Sequence, residues 1–481
     1  MSTHYQTDKH ALYSLYCASA LHGMIHTLSL FLSPLNVEIA KYFQTDSIAT
    51  ITSFKTAYLV VYAASNLLFG ALTHRIPVRQ TLALGMGVNA LAITLFYIIP
   101  TTGIPFMYGL WILAAIGGGV YHPVANVFIT RKFPHRKGWA LGITGIGSGI
   151  GFAFGPLITG ALSRLGLNWQ SIALLFGILG ILAAFVAFRV IRDDGQDLSQ
   201  ESLDKEGGRT NPRSAGPLRP QEPVVADIPG GSMAETLCPA EALNAQSESL
   251  PNELNDYNNK YNNYDSRLRP PTEGVLRPAG LPGGLTWPLL GFLTWMILLT
   301  ASREISMWSI LDISAFFLQV SVKDPSAASW YLFLMYLPGI ITQPFVGAWS
   351  DTWGRRGLAL LTFGVFGVCL AVLPFLPPSL LFLPYFFMGA TQSASVPLVE
   401  AMIADYTTPK NRGMMFGVFI TAIMGLGALG PFISGAWLDG VGRSISGFQI
   451  LFSLFGGAVF LGGVGLYFTP RMVKFLGLSK N

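Results

Sequence analysis

A chain of 481 residues that is 51% hydrophobic and only 11% charged is not an ordinary soluble globular protein, because soluble domains carry about 25% charged residues. Its three cysteines, Cys17, Cys238 and Cys369, are scattered, which excludes a disulfide framework and a cysteine-built metal site. The formal charge of +5 is unevenly placed: 15 of the 25 acids lie between Arg192 and Thr286, and the rest of the chain holds 10 acids against 21 bases. That excess of bases falls in short loops, the pattern of membrane topology rather than of a nucleic-acid surface.

The N-terminus, MSTHYQTDKH, is polar and carries no cleavable signal, so the first apolar segment is expected to remain as a transmembrane helix. A helix needs about 20 mostly apolar residues to cross the hydrocarbon core. Six such segments come first, roughly 12–34, 52–73, 80–100, 104–129, 138–162 and 169–190. Six more follow, roughly 287–318, 328–350, 357–376, 379–404, 413–437 and 447–468. The loops after spans 2, 4, 8 and 10 read HRIPVR, RKFPHRK, DTWGRR and TTPKNR, whereas the odd-numbered loops hold only Lys41, Arg164, Lys323 and Arg443. The positive-inside rule then places both termini in the cytoplasm. Between the two sets, residues 192–286 are rich in Pro, Gly, Asn, Glu and Ser, too polar to build a core, and are read as a disordered cytoplasmic linker.

The two sets repeat. FPHRKGWALG (Phe133 to Gly142) aligns with TPKNRGMMFG (Thr408 to Gly417) at an offset of about 275 residues. The same offset pairs Pro134 with Pro409, Gly138 with Gly413, Gly155-Pro156 with Gly430-Pro431, and Gly160 with Gly435. Duplicated six-helix units mark transporters whose halves rock about a central site.

A charge at the bilayer centre costs at least about 2.5–3.5 kcal/mol, so it must face protein or a cavity. Within the spans stand Lys55, Arg303, Glu304, Asp312 and Glu400. Glu38, at the outer end of span 1, reads as solvated, and Lys55, near the outer end of span 2, reads as a snorkelling lysine or else a functional charge. In span 7, Glu304 and Asp312 are two turns apart and share a face, while Arg303 points to a different neighbour. These charges are either inter-helix pairs that fix packing, or a proton site (Glu304, Asp312) with an anion-holding fork at Arg303. Glu400 follows Pro397, which frees a carbonyl and bends span 10; it too is a proton site or a structural pair. His22 and His26 lie on one face of span 1, and His122 and Asn126 on one face of span 4. Gly117 to Gly119 let helices approach closely, and Pro123 leaves the carbonyl of Gly119 unsatisfied. The histidines are packing groups, or they handle substrate or protons. Three histidines could also bind a transition metal, but no carboxylate or thiol neighbours them in sequence, so no metal site is expected.

GAWSDTWGRR (Gly347 to Arg356) resembles the loop signature of the major facilitator superfamily. Its first-half counterpart GALTHRIPVR (Gly70 to Arg79) has His74 in place of aspartate and Pro77 in place of glycine. GFAFGPLITG (Gly151 to Gly160) is similar to the fifth-helix glycine-proline motif associated with antiporters. YHP in span 4, with HGMIH (His22 to His26) and SPL (Ser33 to Leu35) in span 1, resembles fosmidomycin-resistance-type transporters. There the span-1 histidine is followed four residues later by aspartate or histidine, and His26 fills that place. The resemblance implies that spans 1 and 4 line a central cavity, which makes His22, His26, His122 and Asn126 candidate substrate-binding residues, and Arg303 of span 7 joins them as the fork for an anionic group. Glu400, Asp312 and Glu304 are the candidate proton-coupling residues. Asp351, Arg355, Arg356, Asp405 and Arg412 resemble the cytoplasmic charge clusters that latch one conformation.

The expectation is an all-α integral membrane protein: twelve transmembrane helices in two six-helix pseudo-repeats, residues 1–191 and 287–481, joined by the linker 192–286. Its expected function is secondary active transport by alternating access, with proton-coupled export of a small organic compound or drug, anionic where Arg303 holds it. Uptake, or an iron-related role of the kind proposed for related facilitators of magnetosome membranes, is the alternative on the same fold. A non-transporting receptor or assembly scaffold using the linker is the alternative of another class. No phosphate loop, nucleophile elbow or zinc pattern occurs in the sequence, so neither an enzyme nor a cofactor is expected. The expected partners are a small-molecule substrate, protons and the lipid bilayer, with no nucleic acid, for a monomer in a bacterial inner membrane.

Overall fold

The computed structural model describes residues 9–73, 76–133, 136–192, 286–407 and 409–478, without the side chains of 137, 138, 344, 347, 348, 351–353 and 409–413. The linker expectation therefore lies, from 193 to 285, outside the described residues, as do His74 and the side chains of Asp351 and Arg412. All described helices belong to one compact unit, Met1–Asp194 with Gly280–Asn481. No strand occurs among the described residues.

The first half runs α1 (Lys9–Leu30), α2 (Ile48–Leu72), α3 (Val78–Thr94), α4 (Ile104–Gly119 and Tyr121–Lys132), α5 (Lys137–Arg164) and α6 (Trp169–Val190). A 3-10 turn, Ser33–Leu35, and a short helix, Asn36–Tyr42, extend α1. The second half runs α7 (Trp287–Ser321), α8 (Ala328–Trp353), α9 (Arg355–Val372), α10 (Phe382–Asp405), α11 (Pro409–Gly427 and Leu429–Val441) and α12 (Ile445–Tyr467). Ten of these are long and apolar enough to cross a membrane. The other two, α8 and α10, are long enough at 26 and 24 residues. In α10, Thr391, Gln392, Ser393, Ser395 and Glu400 lower the mean hydropathy.

Helices dominate because lipid offers no partner to backbone N–H and C=O groups, which must pair within the segment. Leu67, Leu84 and Leu461 are more than 60% exposed; large apolar side chains turned outward suit a lipid surround. The helices meet through glycine. A Cβ on Gly117 would lie 2.6 Å from the backbone nitrogen of Asn89, and one on Gly119 2.6 Å from Ser65 Cβ. The run Gly117 to Gly119 therefore seats α4 against α3 and α2, as expected. Helix α4 breaks at Val120, just ahead of Pro123, whose missing N–H cannot bond the carbonyl of Gly119. Pro156 and Pro397 sit inside unbroken helices.

The duplication is visible in the packing. Within the first half α1 packs on α5, α2 on α4 and α3 on α6; the second half repeats this as α7 on α11, α8 on α10 and α9 on α12. Between the halves, α5 meets α8 and α11 meets α2, again an equivalent pair. Gly160 and Gly435, matched by the sequence offset, both lie at these seams: a Cβ at Gly160 would land on Ser329, and one at Gly435 on Thr52 and Ala49.

These seams lie at the end of the bundle opposite Ile191 and Trp287. The carboxylate of Asp439, near the end of α11, closes the same end by accepting from the first residues of α2. Its donors are Ser47 Oγ at 2.7 Å, Ile48 N at 2.7 Å and Ala49 N at 3.0 Å. One half thus caps a helix N-terminus of the other, where unpaired N–H groups and the helix dipole favour an anion. Asp439→Asn is expected to weaken this closure by about 1 kcal/mol, a shift of about fivefold toward the separated state. Spin labels at Asp46 and Gly440 read that population, and an unchanged distance distribution would show that the cap does not hold the seam.

Candidate functional site

Helical spacing aligns His22 and His26, four residues apart, on one face of α1. Helix α4 brings His122 to them: its ring lies 4.8 Å from that of His22 and 5.7 Å from that of His26. His22 Nδ1 lies 2.8 Å from the carbonyl oxygen of Thr144. A carbonyl only accepts, so Nδ1 carries the proton and the neutral ring presents a bare Nε2. His26 Nε2 lies 3.0 Å from that nitrogen and donates to it. Aromatic faces hold the rings: Tyr121 stacks on His22 at 4.6 Å and Phe152 on His26 at 4.0 Å. Asn126, one turn beyond His122, is exposed and joins none of these ring contacts.

Phe152 also stacks on Tyr336 of α8, with centroids 4.7 Å apart and planes 5° from parallel. The histidine cluster thereby reaches the second half. Glu304 pairs with Arg303, whose guanidinium also donates to Ser395 Oγ and lies 5.4 Å from the Phe363 ring. Glu400 stands on the same helix, α10, as Ser395. Arg303 turns toward α10, as its place on the helix predicts, and it already holds an acid. Ser395, Phe363 and Tyr336 carry no sequence signal, since Ser, Phe and Tyr recur throughout the spans.

Asp312 occupies a different place. Its Oδ1 accepts from Asn36 Nδ2 at 3.0 Å and Ser33 Oγ at 3.2 Å, and Asn36 also donates to the Asp312 carbonyl at 2.8 Å. Asp312 and Glu304, on one helix face, therefore serve separate clusters. Lys55 corrects the sequence reading: it does not snorkel. It is 4% exposed, its Nζ donates to Ser29 O, and it sits 5.2 Å from the Trp111 ring. Lys55, Asp312, Asn36 and Ser33 line one small space of about 10 Å³, room for about one water molecule. The lysine charge is tolerated there because Asp312 faces it across the halves. Glu38 is likewise more than a solvated acid: its carboxylate accepts from Trp169 N at 3.2 Å, at the start of α6.

At the start of α9, Arg355 pairs with Asp405 at the end of α10 and donates to Ala401 O at 2.9 Å. Arg356 is exposed, and its charge reaches Tyr406. This joins α9 to α10 within the second half.

Comparison with known proteins agrees with this architecture. The sequence profile of the Major Facilitator Superfamily matches residues 15–322 and 289–477. The riboflavin transporter RibZ of Clostridioides difficile is 28% identical over 153 residues, 32% of this chain and 33% of that protein. The oxalate:formate antiporter of Oxalobacter formigenes is 36% identical over 103 residues, 21% and 24% of the two chains. Multidrug resistance protein 2 of Bacillus subtilis is 25% identical over 147 residues, 30% and 35%. The chain thus matches about a third or less of the length of these relatives. Among solved structures, a bacterial homologue of the lysosomal transporter Spinster, inward-facing and unoccupied, superposes with a TM-score of 0.68 at 14% identity. That match covers 98% of this chain and 99% of the other. A point mutant of the nucleoside transporter NupG gives 0.64 at 13% identity, covering 95% and 99%. These likenesses show the fold, and the family indicates a transporter rather than an enzyme. The duplicated helices, the seam between equivalent pairs and the profile match along both halves make this chain a member of the Major Facilitator Superfamily.

Proposed function

We propose that the chain is a secondary active transporter that exports a small organic compound in exchange for protons by alternating access. One observation carries this reading. The histidine cluster of the first half reaches the second through the Phe152–Tyr336 stack, and the buried Arg303–Glu304 pair stands on α7 of that half, while the halves are joined where α5 meets α8 and α11 meets α2. Rocking about that stack exposes the same groups to either side. The basic loops support a cytoplasmic linker side, hence an inward-facing form, in a bacterial inner membrane. His22, His26, His122 and Arg303 hold the substrate with Asn126 at the cavity wall, and Glu400, Asp312 or Glu304 carries the proton. Asp351, Arg355, Arg356, Asp405 and Arg412 set the balance between conformers, in a protein acting as a monomer.

The Arg303–Glu304 pair favours a second reading, uptake. An anion that takes Arg303 displaces Glu304, and a carboxylate deprived of its cation gains affinity for a proton. Anion and proton then travel together. The sign of the driving gradient separates the two readings. Proteoliposomes holding the full chain are offered riboflavin, oxalate or a lipophilic cation. Exchange expects accumulation when the interior is acidic, and co-transport expects it when the interior is alkaline. Should a folded protein move none of these under either gradient, nor any compound of a wider antibacterial panel, the scaffold alternative replaces both.

His122→Ala is expected to weaken substrate binding by about 1–3 kcal/mol, the cost of leaving a buried partner unpaired. Equilibrium binding to purified protein measures this. Normal affinity with reduced yield would make His122 a packing residue.

A further inference from the structure

We infer that His22, His26 and His122 form a binding site for one divalent transition-metal ion of the zinc and cobalt class. One nitrogen from each ring lies within 4.8 Å of the other two. Two ligands four residues apart on one helix face, with a third from another segment, is the arrangement that a three-histidine tetrahedral site uses. At a metal–nitrogen distance of about 2.0–2.1 Å, tetrahedral ligands stand about 3.3 Å apart. His22 Nε2 and His26 Nε2 are already at 3.0 Å, and His122, with a nitrogen within 4.8 Å of both rings' ligand atoms, is the ligand that moves in to close the set.

The surroundings of the rings point the same way. His22 donates its Nδ1–H to the Thr144 carbonyl at 2.8 Å, the outer hydrogen bond that fixes a ligating histidine with its other nitrogen bare. His122 makes ring contacts with His22, His26, Tyr62 and Tyr121, and no hydrogen bond to its imidazole occurs among the described residues. In the metal-free form the His26 Nε2–H proton bridges to His22. The ion takes that position, and His26 moves the proton to its own Nδ1, so no net proton is released. Three neutral imidazoles with no thiolate and no carboxylate select borderline divalent ions over calcium or magnesium, which take oxygen ligands. The fourth coordination position is left to water or to an anionic oxygen donor. No sequence pattern announces this set, because the third ligand comes from α4, about a hundred residues away.

This inference does not depend on transport, and its test does not use transport. Tag-free, chelator-treated full-length protein in detergent is titrated with Co2+ and, in competition, with Zn2+. Saturation at one ion per chain is expected, with the intense visible absorption of tetrahedral Co2+ and a rise in thermal midpoint with Zn2+. His122→Ala and His26→Ala are each expected to weaken Co2+ binding at least tenfold and to remove the tetrahedral spectrum. His10→Ala, outside the cluster, is expected to leave both unchanged. Should either cluster variant fail to fold, His22→Gln read by the same spectrum serves in its place. Wild-type protein that binds no ion saturably, binds it with an octahedral spectrum, or binds it as well in the cluster variants would overturn the assignment. Metal binding without transport would sink only the transport reading, and transport without metal binding would sink only this one.

Discussion

Asp312→Asn is expected to cost both pH-driven transport and substrate exchange, and adding Lys55→Met is expected to restore only exchange. In the wild type the buried Lys55 faces Asp312 across a space that fits about one water molecule. Removing one partner of a buried charge pair costs about 3–5 kcal/mol, because the survivor is left uncompensated. The substituted amide still meets Asn36 and Ser33, yet the lysine has lost its counter-charge. The joined end is then disfavoured by a factor of about a hundred or more, and cycling stalls in both modes. Replacing Lys55 with a methionine of similar length removes the stranded charge, so the conformers rebalance and exchange, which needs no net proton movement, returns. Flux driven by the pH gradient stays absent if Asp312 is the carboxylate that loads and unloads the proton as the halves part. Proteoliposome assays of both modes on the two variants decide it. Recovery of pH-driven flux in the double variant would move the proton to Glu400 or Glu304, and Glu400→Gln then becomes the variant that loses it.

Gly160→Leu and Gly435→Leu are expected to hold the seam open. A side chain at Gly435 meets Thr52 and the backbone of Ala49, whose Cα stands 2.7 Å from the new Cβ; at Gly160 it meets Ser329. Overpacking costs about 1–3 kcal/mol, and more where backbone cannot yield. The cost falls only on the joined state, since once the halves part these positions face a gap. Transport is expected to fall at least tenfold, with longer distances between labels at Asp46 and Gly440 and unchanged thermal stability of each half. Gly457→Leu is the control, because no atom lies within 4 Å of a Cβ there. Wild-type distances together with lost transport would mean that the glycines act on something other than closure.

Much of the fold was legible because lipid enforces a simple code. A spanning segment must be apolar over about twenty residues and must satisfy its own backbone, so all twelve passes could be read from the sequence. The 275-residue repeat was equally plain, and its Gly160 and Gly435 fell at equivalent seams. Individual side chains were less legible. Lys55 read as a snorkelling residue because its span taken alone offers no partner. Asp439 drew no notice, since an acid near a loop is ordinary until the N-terminus of α2 is placed beside it.

By itself the sequence determined the helix count, the duplication, the basic loops and the i, i+4 pair His22 and His26. Each depends on neighbours within one helix turn or on a fixed offset, and such relations survive in one dimension. Only the tertiary structure decided that His122 joins that pair, that Phe152 stacks on Tyr336, and that Asp312 serves Lys55 and Asn36 rather than Glu304. Those partners lie on different helices, in some cases in different halves. Which face of a helix meets which neighbour is set by glycine contacts and side-chain volumes summed over the whole bundle, and no local pattern records that sum.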